Sequence, residues 1–463
     1  MFDMLIRGAR LVDPVNRLDG LFDIAVEDGR IARVAPGIEG SAKTEIDARG
    51  KIAVPGIIDM HTHMRTVMGH PHAQRMVALA GVTTALDMAG PLDNILDSIP
   101  TSGAGINVAV LEAAPEPLAS ASARRAMIEE VLDKGGIGIK LMGGHFPMDL
   151  DVSAGFVDDA NALRAWVAWH VGNKTHGSDL LGFLDAVKAA EGKYLHIAHI
   201  NSYCRSQITD EVDEALRAIE ALKANPNIFS ESYLSPLNGT RLTVVDDKPV
   251  SRVTRTCLLK KGCTPDRAGL EKALREGLVG LLKDTGEIGE LVYGEEALRI
   301  WLAKETVATG SFAVNPAASR FLLAGAKRDD GTFVVDSFST DGGTYPRNVI
   351  VENGLALVRF GALTLKEFVI KSSVNGARAL GLAGKGHLGV GADADITILD
   401  PERLKAYATV AGGRVIMMDG RLTGSGTTII CDERGEKTLR DRGIPARVKA
   451  PIASPDVFSH RPL

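Results

Sequence analysis

The stretch IAVPGIIDMHTH, residues 52–63, places an apolar strand directly before a pair of histidines. His61 and His63 are two positions apart, so on a β-strand both side chains point to the same face. Two imidazoles on one face can reach one metal ion, at roughly 2.0–2.1 Å for zinc. Two exposed histidines on an edge strand would show the same spacing. Further candidate ligands elsewhere in the chain are therefore needed to indicate that this pair binds metal.

Length and composition indicate a soluble protein with one large domain and a smaller one. The chain has 463 residues, of which 45% are hydrophobic and 24% charged, and its net charge is −5. That charge argues against a nucleic-acid or anionic-membrane partner. No apolar run approaches the ~18 residues of a membrane span, and the N-terminus lacks the pattern of a signal peptide. We therefore expect a cytoplasmic protein that acts on a small molecule.

Both ends of the chain have sequence patterns typical of short β-strands. Residues 1–58 contain short strands with a hairpin turn signal at Asp28-Gly29, and residues 385–423 return to the same pattern. We expect one small β-sandwich domain built from residues 1–58 and 385–435, with two separate β-appendages as the alternative. Residues 436–463 contain several prolines and little periodicity. They predict an extended C-terminal arm over the surface or over a neighbouring subunit of a homo-oligomer.

Between these ends, residues 59–384 alternate between strand and helix patterns. The eight predicted strands are Ile52–Ile58, Val82–Met88, Ile106–Ala113, Ile137–Met142, Trp166–Val171, Tyr194–Ile200, Ile228–Leu234 and Phe333–Thr340. Eight such units predict an α/β fold, a (β/α)8 TIM barrel whose active site lies at the C-terminal ends of the strands. Residues 238–332 are too many for one connection. With helical patterns at Asp266–Leu282 and Glu295–Thr306, they predict a lid or helical insertion.

A lysine interrupts the fourth of these strands, GIGIKLM at residues 136–142. Lys140 is costly in a buried strand unless it is paired or neutralised. Carbon dioxide can convert its amine into a carbamate, an anionic ligand that bridges two cations. A lysine paired to a buried carboxylate is the alternative. Polar residues at the other strand ends favour the carbamate.

Those strand-end residues are histidines and an aspartate. His170 ends the fifth strand, and His196 and His199 lie on the sixth. Because a separation of three puts two side chains on opposite faces of a regular strand, we expect only His199 in the barrel mouth and interpret His196 as structural.

Asp341 follows the eighth strand and is the candidate general base, since a carboxylate beside a metal-bound water can carry its proton to a leaving group. A turn aspartate before Gly342-Gly343 is the alternative. His145, on the loop after the fourth strand, is either a substrate contact or a surface residue.

Together these motifs resemble the amidohydrolase superfamily in its two-metal subtype with a carboxylated lysine. The resemblance covers nearly the whole chain and rests on GRI at 29–31, VPGIIDMHTH at 54–63, GVTT at 81–84 and GHLGVGADADITIL at 386–399. It implies that His61, His63 and Asp341 hold one metal and that His170 and His199 hold the other. It also implies that N6-carboxylysine at Lys140 and a hydroxide bridge the two divalent ions, which are expected to be Zn2+.

Several branches of the superfamily share features with the chain. His170 before GSDLL at 177–181 and the long insertion are similar to the N-acyl-D-amino-acid deacylases, although the bridging cysteine frequent in that branch is absent before His170. The GIGIK pattern is more like isoaspartyl dipeptidases, dihydroorotases and hydantoinases. The resemblance therefore implies a hydrolase acting on a C–N amide bond, of an N-acyl amino acid or a related small amide.

The expected reaction is attack of the metal-bridging hydroxide on the amide carbonyl, with Asp341 taking the proton. Arg347 could pair with a substrate carboxylate through its fork of donors, or be a surface arginine. Tyr233, which ends the seventh strand, could support the oxyanion or only pack. The alternatives for the whole chain are a cyclic amidase, an ester hydrolase on the same site, and a non-catalytic scaffold, which would carry no stoichiometric zinc.

Overall fold

A computed structural model describes residues 1–64, 72–114 and 117–450. The first strands are β1 Phe2–Asp13, β2 Leu18–Glu27, β3 Arg30–Ala35, β4 Ala42–Asp47, β5 Ile52–Pro55 and β6 Ile57–His63. Helices and strands then alternate: α1 Ala73–Leu79, β7 Val82–Ala89, α2 Leu92–Ser102, β8 Ala104–Ala114, α3 Ala121–Lys134, β9 Gly138–Met142, α4 Leu150–Ala162, β10 Trp166–His170, α5 Leu180–Ala190, β11 Leu195–Ile197, α6 Glu211–Ala224 and β12 Ile228–Tyr233.

The second half of the chain begins with a long insertion. Its elements are β13 Leu237–Arg241, β14 Val244–Val245, β15 Lys248–Pro249, α7 Arg252–Lys260, α8 Arg267–Arg275, β16 Val279–Asp284, β17 Gly289–Val292, α9 Gly294–Ala303, β18 Thr309–Ala313 and α10 Ala317–Gly325. After it come β19 Ser337–Ser339, β20 Gly342–Gly343, α11 Ile350–Arg359, α12 Leu365–Val369, α13 Asn375–Ala379, β21 Ile396–Asp400, β22 Lys405–Ala411, β23 Arg414–Met418, β24 Arg421–Leu422, β25 Gly426–Cys431, α14 Glu433–Asp441 and β26 Ala446–Val448.

Eight parallel strands form the predicted barrel. Strands β6 to β12 lie side by side in chain order. Residues 337–343 supply the eighth strand in two pieces, since β19 pairs with β12 and β20 pairs with β6. This pairing joins the two edges of the sheet, so the (β/α)8 fold is confirmed. The carboxyl ends of all eight strands consequently share one rim.

The first barrel strand starts later than predicted. The apolar run Ile52–Ile58 is not one strand: β5 pairs with β1 and β21 in a second sheet, and the barrel begins with β6. The chain changes sheet at Gly56, where a Cβ atom would lie 2.2 Å from the Thr83 hydroxyl oxygen. Since only glycine fits this close approach, one continuous apolar segment serves two sheets.

That second sheet contains strands from both ends of the chain, as predicted for the small β-domain. Its nine strands run in the order β24-β23-β22-β21-β5-β1-β2-β3, with β4 paired to β1. A buried polar cluster attaches it to the barrel. Lys385 lies between the carboxylates of Asp393 and Asp395, and Asn107 of β8 donates to Asp395 over 3.0 Å.

The C-terminal segment differs from the predicted extended arm. Strand β25 lies in the segment predicted for the small β-domain but pairs with β8 of the barrel, and α14 and β26 follow it into the segment predicted as an arm. Asp432 caps the helix through its carboxylate, and Leu439 is buried. The sequence of this helix is charged or polar apart from Leu439 and Gly435, so it shows no helical pattern of apolar residues. Residues 451–463 of the predicted arm lie outside the described residues.

The insertion between β12 and β19 is a mixed α/β unit rather than a helical one. Strands β13, β18, β16 and β17 form a four-stranded sheet around a core that includes Trp301 and Phe312. The predicted helix Asp266–Leu282 is wrong beyond Arg275, because Gly277 with φ 71° ends α8 and β16 follows. None of the helices in the described ranges has the length and hydrophobicity of a membrane span.

Candidate metal centre

The histidine pair lies within strand β6, at its C-terminal end. The two rings are 5.3 Å apart between centroids, as expected for side chains two positions apart on one face. His61 is buried, and the His63 side chain is 21% exposed. The pair therefore points into the barrel mouth, with His63 nearer the solvent.

Asp341 lies between β19 and β20, the two pieces of the eighth strand, and its carboxylate contacts this histidine pair. Its Oδ1 atom is 3.0 Å from His63 Nε2 and 3.4 Å from His61 Nε2. The donor atoms of His61, His63 and Asp341 all lie within 4.8 Å of one another. Asp341 adopts φ 48° between β19 and β20, so an irregularity in the strand turns its carboxylate toward the histidines. The structure brings together the three residues that the resemblance assigned to the first metal.

Glu231, on strand β12, fixes the orientation of His61. Its Oε1 atom is 2.7 Å from His61 Nδ1 and accepts the backbone N–H of His199 over 2.7 Å. Burial alone would raise the pKa of Glu231, but His61 and His196 beside it hold that pKa well below its usual range. Because an ionised carboxylate only accepts, His61 carries its proton on Nδ1. The lone pair of Nε2 then faces Asp341.

Asp59 joins the two strands that carry these ligands. Its Oδ1 atom accepts the backbone N–H groups of His61 and Thr340, each over 3.1 Å, and its Oδ2 atom accepts the Thr340 hydroxyl over 2.5 Å. Burial raises the pKa of Asp59 to about 7. Asp59 thereby sets the distance between the histidine pair and Asp341.

The second pair of histidines lies beside the first. His199 Nε2 is 3.0 Å from His170 Nδ1, and the His199 ring stacks on that of His61 at 4.9 Å. Burial lowers the pKa of both His170 and His199 well below the usual range, so both rings are neutral. The buried Nδ1 of His199 has no hydrogen-bond partner among the described residues. Neutral imidazoles with an available nitrogen are what a divalent metal binds.

His196 and His199 both face the barrel interior, so the strict strand alternation expected between them does not hold, while the choice of His199 as the ligand and of His196 as structural stays a prediction. His196 Nε2 lies 3.5 Å from Glu231, and the His199 ring stacks on His61, which also contacts Glu231. Strand β11 ends at Ile197 and His199 adopts φ 36°, so the strand alternation no longer applies. His196 lies deeper in the barrel, where its Nδ1 accepts the Trp166 indole N–H over 3.3 Å.

Lys140 lies in the barrel interior among these groups. Its side chain is buried, and its Nζ atom donates to Met88 Sδ over 3.4 Å. Across the described residues, no carboxylate lies within ion-pair distance of Nζ, so the alternative of a paired lysine has no partner there. Burial lowers the pKa of Lys140 to about 8, although Glu231 and Asp341 act against the shift.

Arg347 does not face open space. Its Nη2 atom is 2.6 Å from Asp341 Oδ2, while Nε donates to the Asp341 carbonyl over 2.6 Å and Nη1 to the Leu237 carbonyl over 3.0 Å. Burial would raise the pKa of Asp341, but the Arg347 guanidinium holds it well below its usual range. This arrangement supports a role in orienting Asp341 rather than the predicted contact with a substrate carboxylate.

Tyr233 and His145 border the centre. The Tyr233 ring is 6.2 Å from that of His199, and its hydroxyl bonds with Ser202, Arg205 and Asn315. His145 is exposed, and its ring is 5.5 Å from that of His170. Both positions are compatible with the predicted substrate contacts, which stay predictions.

Sequence reasoning missed Glu231 and Asp59. Each is a fully buried carboxylate in a barrel strand. The signal that singled out Lys140, a charged residue inside a strand predicted to be buried, applies equally to Glu231 in the seventh strand. Asp59 stands inside the histidine motif itself.

The donor set fits two divalent cations. One group offers two imidazoles and an ionised carboxylate, and the other offers two neutral imidazoles, with a buried amine close to both. Nitrogen and carboxylate ligands of this kind suit zinc and other first-row metals.

Comparisons with known proteins agree with this fold. The model of the amidohydrolase family matches residues 302–422. A dihydroorotase of Pelotomaculum thermopropionicum is 26% identical over 476 aligned residues, which cover 90% of this chain and 99% of that protein. A dihydroorotase of Elusimicrobium minutum is 52% identical over 61 residues, which cover 13% of this chain and 14% of that protein.

Solved structures extend the likeness to the whole fold. A D-aminoacylase superposes with a TM-score of 0.66 at 18% identity, covering 93% of this chain and 99% of that chain. An N-acyl-D-glutamate deacylase from Bordetella bronchiseptica, complexed with zinc and a phosphonate inhibitor, gives a TM-score of 0.64 at 17% identity, covering 92% and 99%. The barrel and these comparisons together show that the chain resembles the amidohydrolase superfamily over nearly its whole length.

Proposed function

We propose that this protein is a metal-dependent hydrolase that cleaves a C–N amide bond in a small molecule, with N-acyl amino acids as the first candidate substrates. One observation carries the proposal: His61, His63 and Asp341 converge within 4.8 Å, beside a second histidine pair and a buried lysine. A purely structural role would not explain why four histidines and an aspartate surround a buried amine.

The residues divide between two divalent cations, for which zinc is the first candidate. His61, His63 and Asp341 would hold one, and His170 and His199 the other. When bound, such cations supply a water activated for attack at neutral pH and polarise the substrate carbonyl. The expected homo-oligomer is not needed for this arrangement and stays a prediction.

Lys140 is the residue placed to join the two groups. With a pKa lowered to about 8 by burial, a fraction of its amine is uncharged near neutral pH. The nitrogen lone pair attacks the carbon of CO2, so that a C–N bond forms while one C=O π bond breaks, and the nitrogen releases one proton to solvent. The product is an N6-carboxylysine carbamate, whose single negative charge is shared by two oxygens. This product also removes the repulsion that an ammonium would exert on cations.

Asp341 is the candidate proton carrier. Arg347 binds its Oδ2 atom and keeps the carboxylate ionised, while Oδ1 faces the histidine pair. From this position Oδ1 can accept the proton of the attacking water and deliver it to the amine nitrogen as the C–N bond breaks. Asp341 therefore combines ligand and general-base roles.

A cyclic amidase is the second candidate. The relatives that align with 90% and 86% of this chain are dihydroorotases, which makes a cyclic amide a substrate to test alongside the open-chain amides. The same attack and proton transfer would open a ring instead of releasing a separate amine.

A substrate screen tests the proposal. Protein reconstituted with zinc, cobalt or manganese would be assayed on N-acetyl D- and L-amino acids, dihydroorotate, hydantoin and acyl esters. We expect hydrolysis of at least one amide class, abolished in the His61→Asn/His63→Asn double variant. Turnover confined to esters, or amide turnover that survives in the double variant, would overturn the proposal.

A further inference from the structure

Arg205, on the loop between β11 and α6, is a cation that the metal centre does not use. Its Nη2 atom donates to Ser202 Oγ over 3.1 Å, to Asn238 Oδ1 over 3.1 Å and to the Tyr233 hydroxyl. All three acceptors are neutral. The buried Nε atom has no hydrogen-bond partner within the described part of the chain, and no carboxylate there lies within ion-pair distance. The guanidinium therefore keeps donors and a full charge without a counter-ion.

Two contacts place this loop against the second histidine pair. Tyr233, whose hydroxyl Arg205 binds, has its ring 6.2 Å from the His199 ring. Gln207, two residues after Arg205, donates to the Ser178 carbonyl over 2.9 Å, and Ser178 Oγ is 2.9 Å from His170 Nε2. Arg205 consequently lies one side chain away from the metal centre, about the reach of an amino acid attached to the scissile amide.

The surroundings of Arg205 reinforce its positive charge. Lys260 Nζ donates to the Arg205 carbonyl over 2.6 Å, and burial together with the Arg205 charge lowers the pKa of Lys260. Glu214 and Glu211, on the following helix, act against the lowering of the Lys260 pKa, and the Glu214 oxygens accept the backbone N–H groups of Ser206, Gln207 and Ile208. A small anion beside the Tyr233 hydroxyl would meet the Arg205 guanidinium, with the Lys260 ammonium at the backbone of the same residue.

We propose that Arg205 recognises a free carboxylate of the substrate, which narrows the substrate class to amides that carry one, such as N-acyl amino acids with a free α-carboxylate. The inference rests on the proposed function. It reassigns the role first expected of Arg347, whose donors are engaged by Asp341 and by the Leu237 carbonyl. Nη1 of Arg205, which takes no part in the bonds to Ser202, Tyr233 and Asn238, would supply the charge-assisted hydrogen bond.

The test compares substrates that differ only at the carboxylate. Acetate release from the best N-acetyl amino acid of the screen and from its α-carboxamide would be measured for the wild type, Arg205→Gln and Arg205→Lys. Arg217→Gln removes an exposed arginine from α6 and serves as the matched control. We expect Arg205→Gln to lower kcat/KM for the acid about 10- to 100-fold, mainly through KM, and to change the carboxamide rate less than about threefold. Arg205→Lys should recover part of the loss.

Equal losses of kcat/KM on the acid and on the carboxamide would overturn the inference. Arg205 would then only connect the insertion to the barrel through its hydrogen bonds. Calorimetric titration of the same N-acetyl amino acids into metal-free protein separates this failure from that of the proposed function. Binding to the wild type that Arg205→Gln abolishes supports the carboxylate site even if no amide is cleaved. Equal binding to both proteins, or no binding to either, rejects it.

Discussion

The Oε1 atom of Glu231 lies 2.7 Å from the Nδ1 atom of His61, and both side chains are fully buried. The contact leaves His61 Nε2 as the nitrogen that faces Asp341. The same carboxylate accepts the His199 amide, so one residue orients ligands from both histidine pairs. Partners of this kind fix the tautomer and raise the basicity of a metal-binding imidazole.

Glu231→Gln should weaken metal binding about 10- to 100-fold, because a neutral amide does not hold the His61 tautomer as firmly as a carboxylate does. Competition with a chromophoric chelator measures the dissociation constants. Glu220→Gln, an exposed change on α6, is the control and should leave them unchanged. Equal metal affinity in Glu231→Gln and in the wild type would show that the contact only fills the core.

Arg347→Met should make metal binding more sensitive to acid. Protons compete with metal for the Asp341 carboxylate, whose pKa is raised by burial but held well below its usual range by Arg347. Without the guanidinium that pKa rises, so the carboxylate is protonated at a higher pH and metal is lost there. Titrations between pH 4 and 8 should show a loss midpoint above that of the wild type. An unchanged midpoint would mean that Arg347 does not set the charge of Asp341.

Gly138→Ala should prevent correct pairing of β9 with β10. Gly138 has φ 153°, and an added Cβ would lie 1.9 Å from the Trp166 carbonyl oxygen. We expect the free energy of unfolding to fall by roughly 2–6 kcal/mol, from backbone strain and overpacking together. Gly325→Ala, at a helical position with no heavy atom within 4 Å of the new Cβ, should be close to neutral. Denaturation curves that coincide for both variants would contradict this account of the fourth barrel strand.

The barrel could be predicted from the sequence because it depends on local patterns, whereas the division of the ligands between two metals came from the family resemblance and stays a prediction. Alternating strands and helices mark the β/α units, and polar residues at strand ends share one rim whatever the lengths of the loops. Asp341 and His61 are far apart in the chain, yet parallel pairing of β20 with β6 brings them together. The order of strands was enough to predict this meeting.

The remaining features depend on tertiary contacts that no local pattern reports. Lys371 is as deeply buried as Lys140, and burial lowers its pKa to about 7, but it donates to the carbonyls of Ala324 and Val335 away from the histidines. Burial of a lysine therefore does not by itself identify a functional one. In the same way, only the folded chain shows that Arg347 forms an ion pair with Asp341 and that strand β11 ends at Ile197, before it reaches His199.

Metal content measured beside turnover, in the wild type and in Lys140→Ala, tests the central claim most directly. If Lys140 becomes the carbamate that joins two cations, elemental analysis should find about two metal ions per wild-type chain, and Lys140→Ala should lose most of that metal and nearly all turnover. Partial recovery with added short carboxylates would support the same conclusion, since they can replace the carbamate oxygens. A Lys140→Ala protein that retains both metal ions and wild-type turnover would contradict the account.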